Sequence, residues 1–181
     1  TSMYVSRAGQ PGGPWHTVYN AVDVARYAAT VKVADDAPLV FLGRLERIKG
    51  AHHAIAIART ASRRLVIAGN RVRSPQADGY FAAEIEPHID DVHVSYVGEV
   101  DDHAKERHLT QAAALLMPIE WDEPFGIVMA EALACGTPVI GFRRGSVPEV
   151  VRDGVTGFVC QTRADAVAAV AVARTWMGTR D

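Results

Sequence analysis

Short apolar runs recur along the chain from residue 38 onward: 39–43 (Leu-Val-Phe-Leu-Gly), 65–69 (Leu-Val-Ile-Ala-Gly), 92–97, 113–117 and 138–141, with a weaker one at 156–160. Between them the apolar positions switch to helical spacing, as at Ala51, Ala54, Ile55 and Ala58, which share one helix face. Ser74-Pro75 and Asp101-Asp102 are helix openings, and Thr162 with Asp165 forms a capping-box-like start continued by Val167 and Val170. Six strands alternating with helices predict an α/β fold, Rossmann-like and doubly wound: a mostly parallel six-stranded sheet with helices on both faces. Continuous apolar runs suit central strands. Val92-His93-Val94-Ser95-Tyr96 alternates instead, as a half-exposed edge strand does, and the order 3-2-1-4-5-6 puts the third strand at an edge. In such sheets ligands bind outside the carboxyl ends of the strands, at the switch point beside strand one.

Composition narrows the class. A chain of 181 residues, 49% hydrophobic, holds one domain with a core of its own. Gly9, Pro11, Gly12, Gly13 and Pro14 mark a loop, so the expected division is a linker or remnant over 1–17 and one folded domain over 18–181. Net charge is −2 and the basic residues are scattered, which argues against nucleic acid as a partner. Cys135 and Cys160 sit in or beside apolar runs and read as core thiols, not as a disulfide. The longest low-polarity stretch, Ala164 to Ala173, contains Asp165 and is about half the length of a membrane span, and Thr1-Ser2-Met3 lacks a signal peptide's apolar core. A cytoplasmic location is expected.

Candidate chemistry gathers at the strand ends. Gly43-Arg44 closes strand one, and the next helix begins near Lys49-Gly50. Two cations and a helix N-terminus there form either an anion site or a solvated loop with ordinary surface cations. The stretch Glu123-Pro-Phe-Gly-Ile-Val-Met-Ala-Glu131-Ala-Leu-Ala-Cys-Gly136 reads as a helix with Pro124 in its first turn and Gly136 as its C-terminal cap. It is apolar nearly all round, so it should be buried, with Glu131 as its only charge. A buried carboxylate needs partners. Glu131 therefore pairs with a cation or accepts from a ligand with paired hydroxyls, such as a ribose. Glu123 lies where it would also serve the helix dipole. Val97-Gly98-Glu99-Val100 connects strand three to a helix, with Gly98 allowing a tight turn. No G-x-G-x-x-G follows strand one and no phosphate-binding G-x-x-x-x-G-K-[ST] occurs. His52 and His53 are adjacent and expected to point to different sides, His103 and His108 are five apart, and no zinc pattern is found, so no metal is expected. Ser146 lacks the G-x-S-x-G elbow.

Taken together these residues resemble the C-terminal, donor-binding domain of the retaining family 4 glycosyltransferases, which have the GT-B fold. The family's E-x7-E motif is matched by Glu123 and Glu131, its strand-one signature by Gly43-Arg44-Leu45 through Lys49-Gly50, and its N-G-V-D element by Asn20-Ala21-Val22-Asp23, with Ala21 in place of glycine. Gly145-Ser146-Val147-Pro148-Glu149 and Gly154-Val155-Thr156-Gly157-Phe158 are also similar, and the match runs from about residue 18 to 165. The resemblance implies that residues 18–181 bind a nucleotide sugar and that the parent enzyme transfers a hexose from a nucleoside diphosphate sugar with retention. By that resemblance Arg44 and Lys49 hold the diphosphate, Glu123 touches hydroxyls of the transferred sugar, and the backbone of Phe125, Gly126 and Ile127 faces sugar and phosphate. Glu131 binds the donor ribose, and Val97, Gly98, Glu99 and Val100 hold the base. It implies no cofactor and no metal. The family's N-terminal acceptor domain has no counterpart in the sequence, and the segment that crosses back onto it would be cut off at Asp181. An isolated fragment of this kind is expected to be inactive in transfer. The rival readings are a non-catalytic nucleotide-binding module of the same fold and an NAD-dependent dehydrogenase domain; the missing glycine fingerprint counts against the latter.

Overall fold

A computed structural model describes residues 18–30 and 33–176. The linker expected over 1–17 and the chain end at Asp181 lie outside the described residues. Six strands form one sheet: β1 (Leu39–Leu42), β2 (Leu65–Ala68), β3 (Val94–Tyr96), β4 (Ala114–Met117), β5 (Val139–Phe142) and β6 (Gly157–Cys160). Every pairing is parallel, and the order is β3-β2-β1-β4-β5-β6, as the apolar pattern predicts. The third strand is shorter than its alternating run. The Asp90 carboxylate accepts from the N–H groups of Val92, His93 and Val94, which turns those amides into the preceding loop instead of a ladder.

Two helical layers cover the sheet. On one face lie α1 (Ala51–Thr60), α2 (Pro75–Glu84) and α6 (Arg163–Trp176). Ala54, Ile55, Ala58, Phe81, Ala166 and Val170 from these helices pack on Leu39, Phe41, Leu65 and Ile67. On the other lie α3 (Asp102–Thr110), α4 (Ile127–Ala134) and α5 (Val147–Val150), whose Leu109, Met129, Ala132 and Val147 pack on Val40, Leu42, Leu115 and Val139. Alternate residues of β1 thus serve opposite layers, because successive strand side chains point to opposite faces. Burial of each large side chain contributes about 1.5–3 kcal/mol.

The expected helix openings are present. Ser74 accepts from Ala77 N–H, Asp101 from Ala104 N–H, and Thr162 with Asp165 closes a reciprocal box. Two expectations about the helix Ile127–Ala134 fail. Pro124 is not in the first turn of α4, which begins at Ile127, because Gly126 at φ 68° is left-handed and breaks helical continuity before it. Nor is α4 buried all round: Ile127 is 49% exposed, because its first turn borders an open cleft. Gly136, at φ 75°, follows the last turn as expected. Ala21 occupies no left-handed backbone, and Asp23 beside it caps the 3-10 turn Val24–Arg26, so the replaced glycine introduces no strain there. Cys135 and Cys160 are free and buried, and burial pushes each thiol up to about 11. Among the described residues no helix is long and apolar enough to cross a membrane.

Candidate functional site

The carboxyl ends of β1 and β4 meet beneath the N-terminus of α4 and enclose a cleft of about 200 Å³. Arg44, Lys49, Glu123, Gly126 and Ile127 line it. Lys49 arrives on the 3-10 turn Arg47–Lys49, immediately before α1. Its Nζ lies 2.5 Å from Glu123 Oε2 and 4.6 Å from the centre of the Trp121 ring. Trp121 Nε1–H donates to the same oxygen at 3.1 Å. Both ends of this pair are largely buried, at 15% and 13% side-chain exposure. A pair so shielded is stiff, since loss of either partner strands a charge at a cost of about 3–5 kcal/mol. Glu123 Oε1 accepts no hydrogen bond among the described residues.

The loop before α4 is anchored from β5. Ser146 N–H donates to the Glu123 carbonyl, Ser146 Oγ–H to the Phe125 carbonyl, and Gly145 N–H to Asp122 Oδ1. Gly145, at φ 50°, presses so close that an added Cβ would sit 2.4 Å from the Glu123 backbone. Glu123 is thus held by its side chain from one direction and by its backbone from the other. Arg44, by contrast, is 55% exposed and pairs with Glu46 at 3.2 Å, leaving it able to move toward a ligand.

Glu131, 6% exposed, has found a cation. Lys105 Nζ–H donates to its Oε1 at 2.6 Å, and Tyr27 Oη–H donates to the same atom at 3.1 Å. Lys105 also donates to Asp102 Oδ1 at 3.0 Å. Burial works against the Lys105 ammonium, but the hydrogen bonds and charges of Glu131 and Asp102 outweigh it and hold that group above the ordinary lysine value. Oε2 of Glu131 makes no hydrogen bond among the described residues. The loop Val97 to Val100 leads into α3, the helix that carries Lys105, and Gly98 O accepts from Gly69 N–H at 2.7 Å. Val97 and Glu99 are exposed, and Gly98, at φ 77°, has open space where a Cβ would stand. All the candidate residues therefore sit on loops or helices at the carboxyl side of the sheet. Lys49, Glu123 and the α4 N-terminus are in direct contact or line one cleft; Glu131 forms a separate cluster with α3. Trp121, Lys105 and Tyr27 escaped the sequence reading, since no local pattern marks a partner that arrives from another loop or helix.

His52 and His53 do not point to different sides. Their rings lie 4.0 Å apart, and both Nε2 atoms reach Glu120 Oε1, at 3.4 and 3.0 Å. Tyr80 Oη holds His52 Nδ1 at 2.9 Å and also accepts from the His52 backbone N–H, so the first imidazole is swung toward the second. Burial, then the neighbouring His53, keeps the His52 imidazole below its ordinary value. The three ligand-type atoms lie within 4.8 Å of one another, a spacing a metal ion accepts. Glu120 is already engaged by both rings and has Arg47 at 4.0 Å, while Arg143, Arg144 and Arg163 border the same cleft as His53. That setting is electropositive and opposes a dication.

The fold and cleft define a class: a Rossmann-like domain of the kind found in GT-B glycosyltransferases, with two cations and a helix N-terminus at its switch point. The chain belongs to the family described as glycosyl transferases group 1, which matches residues 28–177. It is 35% identical over 162 residues to a glycogen synthase of Mycobacterium tuberculosis (strain ATCC 25618 / H37Rv), covering 86% of this chain and 38% of that protein. Among solved structures it resembles a sucrose-phosphate synthase from Thermosynechococcus elongatus (TM-score 0.79, 23% identity, 99% of this chain and 49% of that one). It also resembles Anabaena Alr3699/HepE in complex with UDP and glucose (TM-score 0.67, 21% identity, 90% of this chain and 52% of that one). The chain thus spans 38% of the glycogen synthase and about half of each solved chain. Family membership sets aside the dehydrogenase alternative.

Proposed function

We propose that this chain is the donor-binding half of a retaining glycosyltransferase that transfers a hexose from a nucleoside diphosphate sugar. The observation that carries the reading is the cleft itself: Lys49 locked to Glu123, with Arg44 free to move, at the N-terminus of α4. Arg44, Lys49 and the unpaired first N–H groups of α4 neutralise the donor diphosphate, and they act most strongly as charge builds on it during departure. Glu123, its Oε2 held by Lys49 and Trp121, offers Oε1 to hydroxyls of the sugar. Phe125, Gly126 and Ile127 present backbone to sugar and phosphate. Glu131 offers Oε2 to the ribose diol while Lys105 holds its other oxygen. The loop Val97 to Val100 receives the base. The charge on the diphosphate is met by side chains, so the binding step needs no metal. Alone, the chain binds donor and transfers little, because most acceptor contacts belong to a separate domain in this reading.

Calorimetry with UDP, GDP and ADP tests the proposal. One of the three should bind with a dissociation constant of roughly micromolar to millimolar, as suits one side of a two-sided cleft. Absence of heat with all three, on protein shown to be folded, would overturn it.

A further inference from the structure

Beside the donor cleft, across Ile119, which borders both, lies a second concavity of about 420 Å³. Arg143 and Arg144, on the turn after β5, form one wall, and Gln161, Thr162 and Arg163, at the start of α6, form another. None of the three arginines pairs with a carboxylate among the described residues. Glu120 is the single acid in the lining; His53 Nε2 hydrogen-bonds it at 3.0 Å, with His52 Nε2 at 3.4 Å and Arg47 at 4.0 Å. Asp165, the other acid at this end of α6, is turned onto the N–H groups of Gln161 and Thr162. Three arginines and the N-terminal turn of a 14-residue helix therefore border one concave space in which Glu120 is the single acid. The volume falls within the range of about 300–1,000 Å³ typical of small-molecule sites, which leaves room for a sugar-sized body behind the anion.

We propose that this second cleft binds a phosphate monoester, and that the phosphate is carried by the sugar acceptor. The assignment of the occupant to the acceptor rests on the donor reading of the neighbouring cleft; the anion site itself does not. Arg143 and Arg144 follow the strand whose next residues, Gly145 and Ser146, hold the Glu123 loop. The turn that carries Arg143 and Arg144 thus also anchors the loop that brings Glu123 to the first cleft, which couples the positions of the two.

The test is an amide chemical-shift titration of the isotope-labelled chain already saturated with whichever of UDP, GDP and ADP binds in the calorimetry, so that the donor cleft is filled. Inorganic phosphate, glucose 6-phosphate and plain glucose are added separately. Glucose 6-phosphate should shift amides at 143–144 and 161–164, and bind several-fold more tightly than inorganic phosphate, because it also fills the space behind the anion. Plain glucose should shift nothing there. The triple change Arg143→Gln, Arg144→Gln, Arg163→Gln should weaken glucose 6-phosphate binding by about tenfold or more, as loss of charge-assisted hydrogen bonds requires, and leave affinity for that nucleotide within about twofold. Arg163→Gln alone, on the surface of α6, gives the same direction if the triple variant fails to fold. Shifts confined to Gly43–Lys49 and Ile127, or an unchanged affinity in both variants, would overturn the site. Inorganic phosphate binding as tightly as glucose 6-phosphate would overturn the acceptor assignment. Failure of UDP, GDP and ADP alike to bind, with the 161–164 shifts intact, would overturn the donor reading and leave the anion site standing.

Discussion

Replacing Glu131 with glutamine separates its two roles. The amide keeps the side chain's shape and still accepts on one oxygen from Tyr27 and Lys105, but the charge is gone. Breaking a fully buried ion pair costs about 3–5 kcal/mol. Here Glu131 is 8% exposed by its side chain and Lys105 is 21%, and Lys105 keeps Asp102 at 3.0 Å and contact with water. The loss in stability should therefore be smaller, about 1–2 kcal/mol by discounting that range for the partner and solvent retained. For a domain of this size that lowers Tm by roughly 2–8 °C. Donor binding should suffer separately. A ribose hydroxyl that donates to a carboxylate loses about 1.5–3 kcal/mol when the acceptor becomes neutral, or about 10- to 150-fold in Kd. Thermal melts and calorimetry with UDP on the same variant read both quantities. The 2′,3′-dideoxy analogue supplies the control: wild type and variant should bind it equally, since the diol is missing. A Tm drop beyond about 10 °C with unchanged UDP affinity in the folded remainder would make Glu131 a structural ion only. An equal loss for UDP and its dideoxy analogue would also refute the ribose contact.

Four further outcomes are expected. Arg44→Ala, at a side chain that is 55% exposed, should leave Tm nearly unchanged and weaken UDP while sparing uridine; a variant that loses uridine as well would mean the phosphate site is misplaced. Nucleotide binding should be indifferent to EDTA, and restoration by magnesium of binding lost to EDTA would contradict the role given to Arg44 and Lys49. Gly145→Ala places a Cβ 2.4 Å from the Glu123 backbone at φ 50°, so it should cost at least about 1–2 kcal/mol and reduce the preference for UDP-sugar over UDP. The three backbone N–H groups of Val94, His93 and Val92 hold the Asp90 carboxyl well below the usual carboxylate range. Its stabilisation is therefore complete above the unfolded carboxyl value of about 4 and lost as pH falls toward the folded value. The Tm gap between wild type and Asp90→Ala should accordingly be constant from pH 5 to 8 and shrink below about pH 4; a gap that persists unchanged to pH 2 would refute the assignment.

The sheet was legible because its signals are local. Runs of four apolar residues at β1 and β4, the alternation at residues 92–96, and the caps at Ser74, Asp101 and Thr162 depend on neighbours within one turn or strand. Parallel strands joined by helices then leave few orders to choose among, and that is enough to locate the switch point with Arg44 and Lys49 beside it. The start of α4 was misjudged because Pro124 suits a first turn, whereas the left-handed Gly126 that delays the helix is set by a loop held from Ser146, 21 residues from Phe125. Longer-range contacts were out of reach altogether. Lys49 meets Glu123 across 74 residues, Lys105 meets Glu131 across 26, and His53 meets Glu120 across 67. Arg143, Arg144 and Arg163 face one cleft only because β5 and β6 are neighbours that end on the same side. Hydrophobic period and capping are short-range properties of a chain, so sequence alone determined which segments became strands and helices. Which charges are paired, and which are left to meet a ligand, depends on where the strand ends come to rest, and only the tertiary structure decided that.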